Sequence, residues 1–274
     1  MADISAADVM KLRKLTGAGM MDCKSALADA NGDFDRAIEI IREKGKAIAN
    51  KRADREASEG CVLAKVAGKK AGIIVLNCET DFVAKNQGFI DLTEKMLDVA
   101  IASNASNLEE ALALTMDGRT LADHVIEQTG VIGEKIQLSY YSKIEAESVV
   151  AYIHPGNKLA TVIGFNQANV DTQVSKDVAM QAAAMSPIAV DKDDVPAEVV
   201  EKELEIAKEK FRQEGKPEAM LDKIAQGALT KFFNESTLLN QSFVKDAKVT
   251  IRQYLASNDK DLTVTSFLRY ALSE

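Results

Sequence analysis

The sequence predicts an α+β protein built from several parts, and three patterns in its 274 residues support that prediction. Short runs rich in β-branched residues occur in the middle of the chain at the spacing of β-hairpins. Apolar residues at helical spacing occupy the first part of the chain and recur between these runs. Two consecutive segments over 196–233 carry apolar residues at intervals of four and three, which predicts an antiparallel helical hairpin.

Residues 1–45 predict a domain of three short helices. Ser5 is placed to cap the first helix together with Asp8. Apolar side chains then recur along one face of each segment. The helices are predicted from Ser5 to Gly17, from Met20 to Ala30 and from Asp33 to Lys44, with Gly45 as the final stop. A domain of this size lies near the lower limit for folding without disulfides or metals.

Residues 46–56 form a basic linker with little apolar content. Its cationic side chains are Lys46, Lys51, Arg52 and Arg55. A run of charge of this kind is typical of a solvated helical linker, which is the prediction. The alternative is a contact with an acidic partner or with RNA.

Residues 57–145 and 146–274 predict two related α+β subdomains, because in each a hairpin of two strands precedes a helix. The predicted strands are Cys61–Val66, Ile73–Cys78, Lys135–Lys143, Val149–His154, Leu159–Phe165 and Leu262–Tyr270. The predicted helices of the two subdomains are Gln87–Ser103, Leu108–Leu114, Arg119–Gln128, Asp171–Met185 and Val249–Ser257. The helical hairpin over 196–233 is an insertion in the second subdomain, and its charged outer faces predict that it projects from the body.

Cys61 and Cys78 lie at equal distances from a predicted turn at Lys69–Lys70, so they are expected to face each other across the first hairpin. Directly opposed Cβ atoms in a strand pair are about 4.5–5.5 Å apart. The mean Cβ separation in a disulfide is only about 3.8 Å. Two buried, reduced thiols are therefore predicted, with a structural disulfide as the alternative.

Composition argues against several classes of function. A formal net charge of -8 argues against a general nucleic-acid binder, and two His leave little for imidazole catalysis or a zinc site. A phosphate-binding loop, a dinucleotide fingerprint and a nucleophile elbow are missing from the sequence. No apolar run reaches the roughly 18 residues of a membrane span, and the first residues lack a signal-peptide pattern. The expectation is a cytoplasmic protein without a cofactor and without enzymatic chemistry.

The segment over 79–86 places an aromatic residue beside a carboxylate between a predicted strand and a predicted helix. One interpretation is a helix N-cap at Thr80 or Asp81, with Phe82 folded into the core. The other is an exposed wedge, in which the Phe82 ring enters an apolar pocket of a partner and the carboxylate meets a polar or cationic group. The pattern alone leaves both open.

Two longer motifs closely resemble signatures of the bacterial elongation factor Ts family. Residues 12–27 read Leu-Arg-x-x-Thr-Gly-Ala-Gly-Met-Met-Asp-Cys-Lys-x-Ala-Leu, and residues 77–86 read Asn-Cys-Glu-Thr-Asp-Phe-Val-Ala-Lys-Asn. The run Val199–Glu203, followed by Gly215–Pro217, looks like the coiled-coil hairpin of that family. The chain stops at Glu274, so the further helical module of longer members is expected to be absent.

The resemblance implies a guanine-nucleotide exchange factor for elongation factor Tu that binds the GDP-bound and then the nucleotide-free GTPase. It implies an N-terminal domain of the ubiquitin-associated type, a two-part α+β core and a projecting hairpin. Membrane and nucleic acid are not expected partners.

The resemblance also implies which residues act. The wedge that enters the GTPase and displaces its magnesium ion maps to Thr80, Asp81, Phe82 and Val83. Further contacts with the partner map to Arg13, Met20, Met21 and His154.

Two other classes of function make different predictions. A docking adaptor would bind a GTPase without accelerating nucleotide release. A small-molecule enzyme would draw on Glu79, Asp81 and His154 and would turn over substrate by itself.

Overall fold

A computed structural model describes residues 4–272 of the protein. Its helices are α1 Ala6–Thr16, α2 Met20–Asp29, α3 Phe34–Lys51, α4 Asp81–Ala84, α5 Gln87–Ala102, α6 Leu108–Leu112, α7 Leu121–Ile132, α8 Thr172–Met185, α9 Ala197–Gln213, α10 Glu218–Ser236 and α11 Ile251–Asn258. Its strands are β1 Glu59–Ala67, β2 Lys70–Cys78, β3 Thr115–Met116, β4 Arg119–Thr120, β5 Gln137–Glu145, β6 Ser148–Ile153, β7 Leu159–Phe165, β8 Ser242–Phe243, β9 Asp246–Thr250 and β10 Val264–Ala271. Residues 1–3 and 273–274, which belong to the first predicted domain and the last predicted subdomain, lie outside the described residues.

The core contains two antiparallel three-stranded sheets of the same design. One has the order β1-β2-β5 and the other β6-β7-β10, so the second strand of each hairpin is the central strand. Helix α5 packs on the first sheet and α8 on the second. The α+β class is confirmed, and the predicted succession of hairpin and helix occurs in both halves.

An apolar layer joins the two sheets. Alternate residues of β1 and β2 face residues of β7, because side chains of a strand point to opposite faces in turn. Val62, Ile73, Val75, Ala160 and Val162 are fully buried in this layer. The opposite face of the first sheet packs with α5 in a separate core. The ends of β1 and β2 are therefore fixed by apolar contacts on both faces of the sheet.

The N-terminal helices form as predicted, apart from the end of the third. Ser5 and Asp8 make the predicted reciprocal capping hydrogen bonds at α1. Helix α3 does not stop at Gly45 but continues to Lys51, into the basic linker. Gly45 is buried against α7, where a Cβ atom built on Gly130 would lie 2.4 Å from the Gly45 Cα atom. The glycine that was expected to end the helix instead permits two helices to cross closely.

The register of the first hairpin differs from the prediction. Cys61 pairs with Leu76 and Cys78 with Glu59, so the two thiols are not opposed. The connection is a two-residue turn at Gly68–Lys69, one residue earlier than expected, because Gly68 adopts a left-handed conformation with φ of 63°. Both cysteines are buried and free, as the main prediction stated.

The helical hairpin has the predicted seam. Val200, Leu204, Ala207 and Phe211 of α9 are half-buried, and Leu221 and Ala225 of α10 are buried. Helix α9 has no fully buried residue, which is consistent with a hairpin whose outer face is solvated. In the part of the chain that the structure covers, no helix has the length and apolar character needed to cross a membrane.

Candidate binding site at the end of the first sheet

The predicted wedge lies directly after the central strand β2. Thr80 caps the one-turn helix α4, and its Oγ1 atom accepts a hydrogen bond from the Val83 N–H at 3.5 Å. Ala84 is buried and Val83 packs against the core, whereas the Phe82 side chain is 83% exposed. The N-cap at Thr80 is confirmed, whereas the expectation that Phe82 folds into the core is wrong. Insertion of the exposed ring into a partner stays a prediction.

Two carboxylates connect the base of this turn to the segment that follows α7. Glu134 Oε2 accepts hydrogen bonds from the N–H groups of Glu79 at 3.1 Å and Thr80 at 3.0 Å, and its Oε1 accepts the Thr80 hydroxyl at 2.7 Å. In return, Glu79 Oε1 accepts the Lys135 N–H at 2.6 Å. The two segments are thus held together by reciprocal bonds between a carboxylate and the main chain.

The basic linker takes part in the same network. The Arg52 guanidinium donates to Glu79 Oε1 at 2.7 Å, and both side chains are largely shielded from solvent, at 33% and 18% exposure. Lys135 Nζ donates to the carbonyl oxygens of Ala53 at 2.8 Å and Arg55 at 2.9 Å. Three distant stretches of sequence therefore meet at the base of the turn.

The carboxylate beside Phe82 is already paired within the chain. Asp81 accepts a hydrogen bond from Lys85 at 2.6 Å, and this bond lowers the pKa of Asp81 and raises that of Lys85. Lys158, which forms an ion pair with Glu59 at 2.8 Å, lowers the pKa of Asp81 further. A partner that uses the Asp81 carboxylate therefore competes with Lys85.

The strand that precedes the turn ends in a protonated thiol. Cys78 Sγ donates to the Thr80 carbonyl oxygen at 3.1 Å. Burial raises the pKa of Cys78 to about 12, with a further contribution from the charge of Glu134. The thiol therefore keeps its proton at neutral pH and acts as a hydrogen-bond donor to the turn.

The N-terminal residues named by the sequence surround the C-terminal end of α1. Arg13 is exposed on α1, and Met20 and Met21 begin α2 with exposures of 38% and 76%. Between them, Gly17 lines the same groove of about 570 Å³ as Phe82. The fold therefore brings this end of the N-terminal domain beside the turn that carries Phe82.

His154 lies elsewhere. It is exposed at the end of β6, and its Nδ1 atom is 3.0 Å from the Tyr152 hydroxyl oxygen. It borders a separate groove that also contains Asp177, Val244 and Lys245. The proposed contact of His154 with a partner stays a prediction.

Sequence reasoning missed Glu134 and the role of Arg52. Glu134 is 54 positions from Thr80, and the sequence between them contains helices α4 to α7. A Gly-Glu-Lys tripeptide after a helix gives no local sign that its carboxylate will reach another turn. Among residues 4–272, no group of three or more His, Cys, Asp or Glu side chains is placed to hold a metal ion.

The Glu79 contacts predict a dependence of stability on pH. The Lys135 N–H and then Arg52 lower the pKa of Glu79 in the folded protein. Its contribution is thus present above the unfolded pKa of about 4.3 and is lost as pH falls through the lower folded value. We expect Glu79→Gln to lower the free energy of unfolding by about 1 kcal/mol at neutral pH.

The measurement is urea unfolding of wild type and Glu79→Gln from about pH 7 to about pH 3. The difference between the two proteins should narrow as the pH falls, because wild-type Glu79 becomes protonated. A difference that stays constant over this range would contradict the assignment.

Fold and site together define the class: a multidomain α+β protein that displays an aromatic side chain on a braced turn, next to a small helical domain. Residues 79–274 match the family model described as Elongation factor TS. Proteins named elongation factor Ts are similar to the chain along nearly its whole length. The one from Porphyromonas gingivalis is 54% identical over 97% of both chains, and the one from Flavobacterium psychrophilum is 50% identical over 99% of this chain and 100% of its own. The chain belongs to the elongation factor Ts family, as the two motifs predicted.

Proposed function

We propose that this chain is a guanine-nucleotide exchange factor that binds elongation factor Tu with GDP bound and promotes replacement of GDP by GTP. Membership of the elongation factor Ts family supports the choice of partner. The observation that carries the mechanism is the 83% exposure of Phe82 on a turn whose base is fixed by hydrogen bonds. An exposed aromatic ring on a fixed support is the arrangement expected of an anchor residue in a protein interface.

The proposed mechanism uses Thr80, Asp81, Phe82 and Val83 as a wedge. Phe82 enters an apolar pocket near the nucleotide site of the GTPase, and this displaces the magnesium ion that bridges phosphate and protein oxygens. Because magnesium requires near-ideal octahedral geometry, a small shift of its ligands weakens its binding sharply. Loss of the ion then lowers the affinity of the GTPase for GDP.

Binding energy drives this step, and no covalent bond changes. Complete burial of the Phe82 ring contributes about 1.5–3 kcal/mol, which offsets part of the distortion of the nucleotide site. Contacts by Arg13, Met20 and Met21, and by His154 in the core, contribute the rest. By linkage, a factor that weakens nucleotide binding is itself weakened equally by nucleotide, so entering GTP releases the factor.

We place this activity in the cytoplasm, with no role for direct nucleic-acid or membrane binding. The chain acts as a binding partner, not an enzyme, because exchange needs only differential affinity for two states of the GTPase. Asp81 of the wedge is paired with Lys85, which lies just after the wedge, and opening of this pair exposes Asp81 to the partner.

The decisive test follows fluorescent GDP release from elongation factor Tu after an excess of unlabelled nucleotide is added. We expect this chain to accelerate release in a saturable way, and added magnesium to oppose the effect. Binding to the GTPase without faster release would support a docking adaptor and would exclude the proposed function. Strongly salt-dependent binding to RNA would instead assign the basic linker to nucleic acid.

A further inference from the structure

We infer that Glu134 is the positioning residue of the Thr80–Val83 wedge, which holds the turn in the orientation that presents Phe82. The inference deepens the proposed exchange function and rests on it. Glu134 directs both carboxylate oxygens at the turn and accepts hydrogen bonds from two N–H groups and one hydroxyl of Glu79 and Thr80. It touches the base of the wedge and not its exposed tip, so it acts on the partner through Thr80 and Phe82.

Both oxygens of this side chain act as hydrogen-bond acceptors. Because the Thr80 hydroxyl donates its proton to Glu134, its lone pairs remain free to accept the Val83 N–H. The hydrogen bond to Glu134 and the cap of helix α4 thus use the same Thr80 hydroxyl group, and Glu134 sets the orientation of that group. A carboxamide at this position would turn its NH2 group either toward the two N–H groups, which cannot accept, or toward the Thr80 hydroxyl, which would then no longer donate to it.

Glu134 and Arg52 also link the base of the wedge to the N-terminal domain. Glu134 follows α7, and Arg52, which pairs with Glu79, ends α3. These two helices cross in close contact at Gly45 and Gly130. Helix α3 of the N-terminal domain and helix α7 of the core are therefore each followed by a charged side chain that reaches the base of the wedge.

Glu134→Ala and Glu134→Gln test the inference through the kinetics of GDP release. We expect the maximal stimulated rate to fall about threefold to tenfold in Glu134→Ala, with Glu134→Gln between it and wild type. The concentration of factor at half-maximal rate should change less than about twofold, because docking through the N-terminal domain and the core is intact. A variant that needs a higher concentration for half-maximal rate but reaches the wild-type maximal rate would overturn the positioning role.

Hydrogen exchange of the free protein gives a readout that does not depend on the GTPase. In wild type the amides of Glu79 and Thr80 are bonded to Glu134, so they should exchange slowly. In Glu134→Ala they should exchange at least about tenfold faster, while the amides of β2 keep their protection. Unchanged exchange of these two amides would overturn the inference.

A spectroscopic probe can be placed on the tip of the wedge itself. The sequence contains no Trp, so Phe82→Trp introduces the only indole of the protein. Its anisotropy decay in the free protein should show restricted local motion, and the amplitude of that motion should rise when Glu134→Ala is added. Equal amplitudes in the two backgrounds would mean that Glu134 does not hold the turn.

Glu110→Ala is the matched control. The Glu110 carboxylate also accepts an N–H and a hydroxyl, both from Ser106, at 2.7 and 3.1 Å, but it lies at α6 and does not line the Phe82 groove. We expect this variant to stimulate GDP release from elongation factor Tu at the wild-type rate. Urea unfolding of each variant distinguishes unfolding of the protein from a change in the orientation of the turn that carries Phe82.

Parallel measurement of Phe82→Ala separates the two levels of the proposal. If Phe82→Ala loses activity while Glu134→Ala keeps it despite a loosened turn, the positioning role is wrong and the wedge stands. If both variants keep full activity, the wedge function itself is wrong.

Discussion

Phe82→Ala is expected to reduce the maximal stimulation of GDP release from elongation factor Tu by about 10- to 100-fold. The reason is that the ring supplies apolar binding energy that is realised only when it enters the partner. The same substitution should leave the free energy of unfolding within about 0.5 kcal/mol of wild type, because the side chain is 83% exposed. The two measurements are release of fluorescent GDP and urea unfolding.

Val66→Ala provides the control for this prediction. Val66 is another exposed apolar side chain, 41% exposed, and it lies at the turn end of β1, whereas Phe82 follows the opposite end of the hairpin. Removal of its methyl groups should leave exchange unchanged. If Phe82→Ala behaved like Val66→Ala, an exposed ring would be incidental to the activity and the wedge would have to be abandoned.

Gly130→Ala is expected to destabilise the protein by about 1–3 kcal/mol, although alanine is the better helix former. A Cβ atom at this position would lie 2.4 Å from the Gly45 Cα atom, so helices α3 and α7 must separate to admit it. Because Arg52 ends α3 and Glu134 follows α7, the separation should also disturb the base of the wedge. Urea unfolding and the rate of GDP release measure the two consequences.

Gly45→Ala is the matched substitution on the other helix. A Cβ atom on Gly45 would meet its nearest neighbour, the Gly130 Cα atom, at 3.7 Å, which is an ordinary van der Waals contact. We therefore expect Gly45→Ala to be neutral or to stabilise the protein by up to about 1 kcal/mol through helix propensity. Equal destabilisation by both substitutions would show that the crossing tolerates no side chain on either helix and would refute the predicted asymmetry.

Local patterns predicted most of the secondary structure. The Ser5–Asp8 capping box, the second β-hairpin and the seam of the helical hairpin form where short-range spacing indicated. Each of these features depends on residues a few positions apart, which interact directly through helix turns, short loops or one helical face. The family resemblance likewise rested on two contiguous motifs.

The register of the first hairpin and the end of the third helix were predicted less well. The first turn forms at Gly68, one residue earlier than predicted, so Cys61 and Cys78 do not lie opposite each other. Glycine is a residue type that often ends a helix, yet α3 continues past Gly45 to Lys51 because it packs against α7. The turn at Gly68 is a local feature, whereas the continuation of α3 depends on packing against α7, which the sequence does not display.

The sequence by itself determined the α+β class, the order of the main helices and strands and the family, and it singled out the four residues that we propose as the wedge. Only the tertiary structure decided that Phe82 lies in solvent while Thr80 caps its helix, and that Glu134 and Arg52 hold the base of the turn. The reason is physical: hydrogen bonds between residues 27 or 54 positions apart form only after packing of the helices has brought the segments together.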